Sequence, residues 1–243
     1  WTVAAFRSGE NAGRAWKVVE HENSHAMAQT FENTFVHTHP ILSTGDVLWQ
    51  DYSATVRFTP QVKQGQVGVA FRYKNSRCYY FFGFNEAGLV LKSVEHETDF
   101  HIPDEHILAE QAYGWKPNQT YILRVTVQGQ HLNCEIEGVG ILEATDTRFQ
   151  QGNLAILSDA PALFHEVQVT ADEAEISRFN QMKSKQEREL EDLRAANPKP
   201  VLWKKISTKG FGVGRNLRFG DLTGNGEVDV LIGQMIHHGP RDR

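Results

Sequence analysis

Near the C-terminal end, residues 221 to 229 read Asp-Leu-Thr-Gly-Asn-Gly-Glu-Val-Asp, with an oxygen donor at nearly every second position. Asp221, Thr223, Asn225 and Asp229, together with the backbone carbonyl of Glu227, can wrap one hard cation. Calcium takes about 6 to 8 oxygen ligands, and a tight loop with donors spaced by two delivers them. Gly224 and Gly226 suit such a loop because its turns need backbone angles that other residues resist. A calcium ion held there would brace the loop and take no part in a reaction. The same residues also suit a plain acidic turn between two strands, tightened by bonds from side chains to backbone amides.

The histidines are the other residues with chemistry to offer. His237 and His238 follow in Met235-Ile236-His237-His238-Gly239-Pro240-Arg241, with Arg241 and Arg243 close by; a solvent-exposed polar loop is the plain alternative. His21, His25, His37 and His39 gather near Glu20, Glu22 and Glu32, and His96, His101 and His106 lie in a loop-rich stretch, but neither spacing matches a strong metal-ligand motif. No G-x-S-x-G, H-E-x-x-H, P-loop or dinucleotide fingerprint is present. The two cysteines, Cys78 and Cys134, share the core-facing parity of their strands, which favours buried thiols over a disulfide.

What must position these groups is mostly β-structure. From Trp49 onward the rhythm has period two: Tyr52, Ala54, Val56, Phe58; then Val67, Val69, Phe71, Tyr73; then Tyr121, Leu123, Val125, Val127; then Leu132, Cys134, Ile136. Alternation of this kind gives strands with one buried face. Turn residues separate them at Lys63-Gln64-Gly65, Asn75-Ser76, Asn85 to Gly88, Pro117-Asn118 and Gln128-Gly129. Many short strands without intervening helices point to a sandwich or barrel. One strand breaks the rule: Tyr79, Tyr80, Phe81, Phe82 and Phe84 are aromatic on both faces. Either neighbours cover it on both sides, or one row of rings lines a sugar-binding surface.

At Thr170 the pattern changes. Ala171 to Ala196 has no Gly or Pro and is rich in helix formers. Its one sparse apolar stripe (Ile176, Phe179, Met182, Leu190, Leu193) is expected to do the packing, and a short coiled coil is the other use of such a stripe. Thr170 or Asp172 can cap its start and Asn197-Pro198 ends it. Lys183/Glu187, Lys185/Glu189 and Arg188/Asp192 are spaced for i,i+4 pairing. After Pro200 the strand pattern returns in Val201 to Trp203, Arg215 to Phe219 and Val228 to Ile232.

The 243 residues, 40% hydrophobic and 23% charged, suffice for one large β domain and part of another. A net charge of -5 gives no reason to expect nucleic acid as a partner, and no apolar run is long enough for a membrane span. The first residue is Trp1, which points to removal of an N-terminal segment, by signal cleavage or by trimming.

Two resemblances add to this reading. Gly68-Val69-Ala70-Phe71-Arg72-Tyr73 with Tyr79 to Phe84, Trp115 to Tyr121, and the closing Gly152 to Ile156 with Ala162 to Val169, resemble the concanavalin A-like jelly-roll modules of bacterial glycan-degrading proteins. Phe219-Gly220-Asp221-Leu222-Thr223-Gly224-Asn225-Gly226-Glu227-Val228-Asp229-Val230-Leu231-Ile232-Gly233 resembles the FG-GAP repeat of β-propellers, found in integrin α chains and in rhamnogalacturonan lyases. Gly210 to Asn216 and the adjoining jelly roll tip the comparison toward the lyases. Thr223 departs from the repeat, which usually has an acid or Asn there, and makes the site less charged.

The resemblances imply an all-β protein: a jelly-roll sandwich over 1–170, a helical linker over 171–198, and the start of a propeller over 199–243 whose remaining blades would be its partner. They imply the N-terminal part of a secreted or periplasmic polysaccharide lyase acting by β-elimination on rhamnose- and uronate-containing glycans. In that chemistry His237 or His238 would take the proton next to the uronate carboxylate, Arg241 would bind substrate, and calcium would be structural. A non-catalytic carbohydrate-binding or adhesion protein built from the same modules is the alternative.

Overall fold

The computed structural model describes residues 1–4, 15–21, 23–34, 38–98, 102–197, 199–202, 204–205, 207 and 214–234, with 214–216 and 234 in backbone only. Its strands in chain order are β1 (Thr2–Ala4), β2 (Trp16–His21), β3 (Ser24–Gln29), β4 (Ile41–Thr44), β5 (Tyr52–Pro60), β6 (Val67–Asn75), β7 (Cys78–Phe84) and β8 (Gly88–Glu95). Then come β9 (Asp104–Ala112), β10 (Tyr121–Gln128), β11 (His131–Ile136), β12 (Gly140–Thr145), β13 (Asn153–Ser158) and β14 (Ala162–Thr170). Helix α1 (Glu173–Ala196) is next, before β15 (Gly214–Gly220) and β16 (Asp229–Gln234). By contacts the chain divides into two compact units, Trp1–Leu190 and Glu191–Arg243.

The first unit is a jelly-roll sandwich of two seven-stranded antiparallel sheets, ordered β1-β4-β13-β6-β7-β8-β9 and β12-β11-β10-β5-β14-β3-β2. This is the sandwich that alternation and the concanavalin A-like resemblance imply. β5 shows why: Tyr52, Ala54, Val56 and Phe58 are buried while Ser53, Thr55, Arg57 and Thr59 between them stay half-buried. Rings of Phe58, Phe84, Trp115 and Tyr121 meet at the centre of the core, with Phe84 stacked on Trp115 at 5.3 Å and edge-on to Tyr121 at 4.9 Å. Cys134 is buried in that core, Cys78 is half-buried beside it, and both are free thiols.

The first sheet does not follow simple alternation. β7 and β8 are buried at nearly every position, because both faces of this sheet are covered. Tyr80, Phe82 and Phe84 face the main core, whereas Tyr79 and Phe81 join Ile41, Ala70, Tyr73, Val90, Val94, Ala155 and Leu157 in a second cluster on the sheet's outer side. Of the two readings of the aromatic strand, the covered one holds for both rows.

The parity expected for Tyr73 is overturned. It alternates in sequence with Val67, Val69 and Phe71, yet lies on the other face. The cause is a register shift between Phe71 and Asn75, with Arg72 in the left-handed region at φ 45°. Such a bulge inserts an unpaired residue and re-aims the side chains beyond it. It turns the Arg72 guanidinium into the interior, where it donates to the carbonyls of Phe149 (2.9 Å) and Gln50 (3.2 and 3.3 Å) and to Asp51 (3.3 Å). The Arg72 amide donates to the Tyr52 hydroxyl. Glycine is demanded where β6 and β7 cross most closely: a Cβ on either Gly68 or Gly83 would stand 2.2 Å from a carbonyl oxygen of the opposite strand.

Helix α1 begins where Asp172 caps it, accepting from the Glu175 amide at 2.7 Å, as one of the two expected caps. Its docking differs from expectation. Charged residues make the contacts: Glu175 accepts from the Gln50 amide, Arg178 bridges Glu175 and the Leu48 carbonyl, and Lys183 reaches Asp46 at 2.6 Å. Little of the apolar stripe is used: Phe179 is half-buried near Trp49, Tyr52 and Val169, while Ile176, Met182, Leu190 and Leu193 stay exposed. Lys183 and Arg188 are drawn away from the expected pairs, to Asp46 and the Ser184 carbonyl, and Lys185–Glu189 forms at 3.8 Å.

In the second unit β15 and β16 pair antiparallel, with Phe219 opposite Val230 and Leu217 opposite Ile232. Val201 and Leu202, expected to start a strand, are exposed and outside any strand because nothing pairs with them among the described residues. No propeller is present among the described residues; the β-structure of this unit is a two-stranded sheet.

Candidate functional site

The acidic loop joins β15 to β16. Asp221 accepts from the amides of Gly224 (2.6 Å), Asn225 (3.1 Å) and Gly226 (2.8 Å). Asp229 accepts from the amides of Leu222 and Thr223 and from the Thr223 hydroxyl, and Asn225 Oδ1 accepts from the Glu227 amide. These amides, Gly226 first, hold the Asp221 carboxyl below its usual range. Gly224 and Gly226 take the positive φ that the turn needs, 73° and 82°. The turn is thus wound by its own side chains, while its donors remain an all-oxygen set of the kind calcium takes. His237, His238 and Arg241 lie outside the described residues, as does His37.

Of the other histidines singled out, His101 lies outside the described residues, and His21, His39 and His96 are drawn into separate contacts. His21 and His165 rings meet tilted with centroids 4.6 Å apart, His96 pairs with Arg77, and His39 bonds Asp159. Among the described residues no group of three or more His, Cys, Asp or Glu side chains is set to hold a metal.

A more distinctive arrangement lies on the outer side of the β1-β4-β13-β6-β7-β8-β9 sheet. Five tyrosines of the sandwich are buried: Tyr52, Tyr73, Tyr79, Tyr80 and Tyr121. The three facing the main core have their hydroxyls satisfied. Tyr52 accepts from the Arg72 amide, Tyr80 donates to Asp146 and accepts from the Phe149 amide, and Tyr121 accepts from the Lys116 amide. Tyr73 and Tyr79, on the outer side with ring centroids 5.9 Å apart, find no hydrogen-bond partner for their hydroxyls among the described residues. Asn153, which pairs with Tyr73 in the ladder, has a buried Oδ1 that is also without a partner. Buried polar groups are normally satisfied, and on this face the buried atom left without a partner is Asn153 Oδ1.

Charged groups frame that face. Lys92 reaches Glu105 at 2.7 Å and lies 5.6 Å over the Phe81 ring. At the far end Asp159 accepts from Asn33 Nδ2 (2.9 Å), His39 Nδ1 (2.7 Å) and the Gln66 amide (3.1 Å). The Tyr79 hydroxyl, in a side chain 1% exposed, is pushed well above its ordinary pKa by burial and then by the charges of Glu105 and Asp159. Burial alone pushes Tyr73 the same way. The Glu105 side chain keeps 37% of its surface in solvent, the Lys92 side chain 10%.

No protein-family model matches the chain, and no curated protein matches it. Among solved structures it is similar to the carbohydrate-binding module CBM66 from Bacillus subtilis, with 16% identity, 65% of this chain and 96% of that one covered, and a TM-score of 0.47. It is similar also to domain 4 of AbnA, an extracellular arabinanase from Geobacillus stearothermophilus in complex with arabinotriose (14% identity, 69% and 80% covered, TM-score 0.45). A third is the Caenorhabditis elegans galectin LEC-6 (14% identity, 58% and 95% covered, TM-score 0.39). Likeness of this degree says nothing of what this chain binds.

The sequence singled out the aromatic strand but not this site. Tyr73 carried the wrong parity, Asn153 stood in no pattern, and Lys92 and Glu105 meet only because β8 and β9 pair.

Proposed function

We propose that the sandwich is a carbohydrate-binding module. What supports this reading is the sandwich of two seven-stranded antiparallel sheets itself, with the buried Asn153 Oδ1 left without a partner beside Tyr73. Sugars present hydroxyls that both donate and accept. Glycan ligands suit a secreted or periplasmic protein.

The whole chain is expected to retain oligosaccharides on a glycan array and to give binding heat with them in calorimetry. A blank array would sink this reading.

The β-elimination implied by the sequence resemblance draws on His237, His238 and Arg241, outside the described residues, and no described residue is given a part in it. For the β15–β16 hairpin we propose one hairpin of a propeller blade, with calcium held by Asp221, Thr223, Asn225, the Glu227 carbonyl and Asp229. Exposed apolar side chains on its strands, Phe219 and Val230 among them, support further strands as neighbours, because a lone hairpin is marginal in water. Calorimetric titration with calcium should give heat for the wild type and none for Asp221→Ala; equal traces would remove the metal.

A further inference from the structure

We infer that the start of helix α1 is a releasable strap, held on the sandwich by ionised side chains and set free by acid or salt while the sandwich stays folded. Its polar contacts converge on one short stretch, Asp46 to Asp51, between β4 and β5. Glu175 Oε1 accepts from the Gln50 amide at 3.0 Å, and Arg178 Nη2 donates to the Leu48 carbonyl at 2.6 Å. Arg178 also grips Glu175 through Nε and Nη2, both at 2.6 Å, and Lys183 Nζ donates to Asp46 Oδ2 at 2.6 Å. Behind this stretch the Gln50 carbonyl accepts from Arg72. The segment is thus gripped from inside by a buried arginine and from outside by the helix.

Apolar packing adds little to the hold. A crevice of 230 Å³ is left between helix and sandwich, lined in part by Trp49, Tyr52, Val169, Ile176 and Phe179, where a packed interface leaves few voids larger than one water. Ile176, Met182 and Leu190 are exposed. Partly exposed ion pairs are weak and are screened by salt, whereas the sandwich rests on buried rings and aliphatic side chains. Burial opposes the charges of Glu175 and Asp46. The bonds from Arg178 and Gln50 to the first, and from Lys183 and Leu48 to the second, outweigh it and hold both carboxyls below their ordinary range. Of the other charged groups here, Asp172 caps the same turn, Asp51 stands beside Arg178 with Arg72 bound to it, and Glu187 lies near Lys183. A carboxyl whose pKa is lowered by docking favours docking above its ordinary value and loses that hold as pH falls through the lowered one. Release therefore sets in at about pH 4 and below.

Hydrogen exchange of the whole chain, read by mass spectrometry and corrected for the intrinsic rate at each pH, tests this by comparing peptides of residues 173–190 with those of β5 and β10. At about pH 7 and low salt the helix should be protected. Glu175→Gln, Asp46→Asn or about 0.5 M sodium chloride should each speed its exchange by about fivefold, the upper end for a partly exposed ion pair, and leave β5 and β10 unchanged. Acidification to about pH 3.5 should do the same to the wild type. Ile176→Ala, on the exposed stripe, should change nothing. A helix that loses protection only together with β5 and β10 belongs to the sandwich's own cooperative unit, which overturns the strap. Exchange sped as much by Ile176→Ala as by Glu175→Gln would show that apolar contacts hold the helix, and a helix unprotected in the wild type at low salt was never held; either result overturns the inference.

Discussion

Arg72→Ala is expected to lower the stability of the sandwich by about 3 to 5 kcal/mol, as removal of one partner from a buried charged network does. The guanidinium is fully buried, and its loss strands the carbonyls of Gln50 and Phe149 without donors. Burial lowers the pKa of Arg72, opposed by Tyr52 and Asp51, but an arginine stays charged at any pH the fold survives. Alanine would also inherit the positive φ of the bulge. Arg72→Gly relieves that strain and should recover about 1 kcal/mol of the loss. Urea unfolding of the three proteins decides the matter; a deficit below about 1 kcal/mol for Arg72→Ala would mean the staple is ornamental.

Phe84→Ala is expected to cost about as much, 3 to 5 kcal/mol, by a different route. Phe84 touches rings on four sides: Phe58 at 6.1 Å, Tyr113 at 6.2 Å, Trp115 at 5.3 Å and Tyr121 at 4.9 Å. Alanine leaves a void that rings anchored elsewhere cannot fill; the Trp115 Nε1 is tied to the Asn85 carbonyl at 2.6 Å. Water entering the gap should shift Trp115 emission to the red even below the unfolding transition. Phe84→Leu keeps most of the volume and should lose only about half as much. Equal midpoints for the alanine variant and the wild type in guanidinium would refute the account.

Strands with one wet face were legible in the sequence. In β5, β10 and β11, polar side chains at every second position declare which side is buried. β7 and β8 gave no such contrast, because both of their faces are covered and every position is free to be apolar. The bulge at Arg72 was invisible for another reason: nothing in Phe-Arg-Tyr says that the arginine will turn inward, since that depends on carbonyls contributed by Gln50 and Phe149 from distant loops. Helix α1 was legible in extent and capping. Its docking was not, because the contacts fall to charged residues that any exposed helix would also carry. The candidate site belongs to the same class, a constellation of β6, β7, β8, β9 and β13 that exists only once the first sheet is paired. The acidic loop, contiguous in sequence, was the part that could be read directly.

The two free thiols give this sandwich a pair of built-in clocks. Cys134 sits at the centre, its thiol pushed up by burial, so a thiol reagent reaches it only when the whole sandwich comes apart. Cys78 opens β7 at the bulged end and is reached by fraying of that end alone. Modification of the first therefore times global unfolding and modification of the second times local opening, both from one unlabelled, unmutated sample.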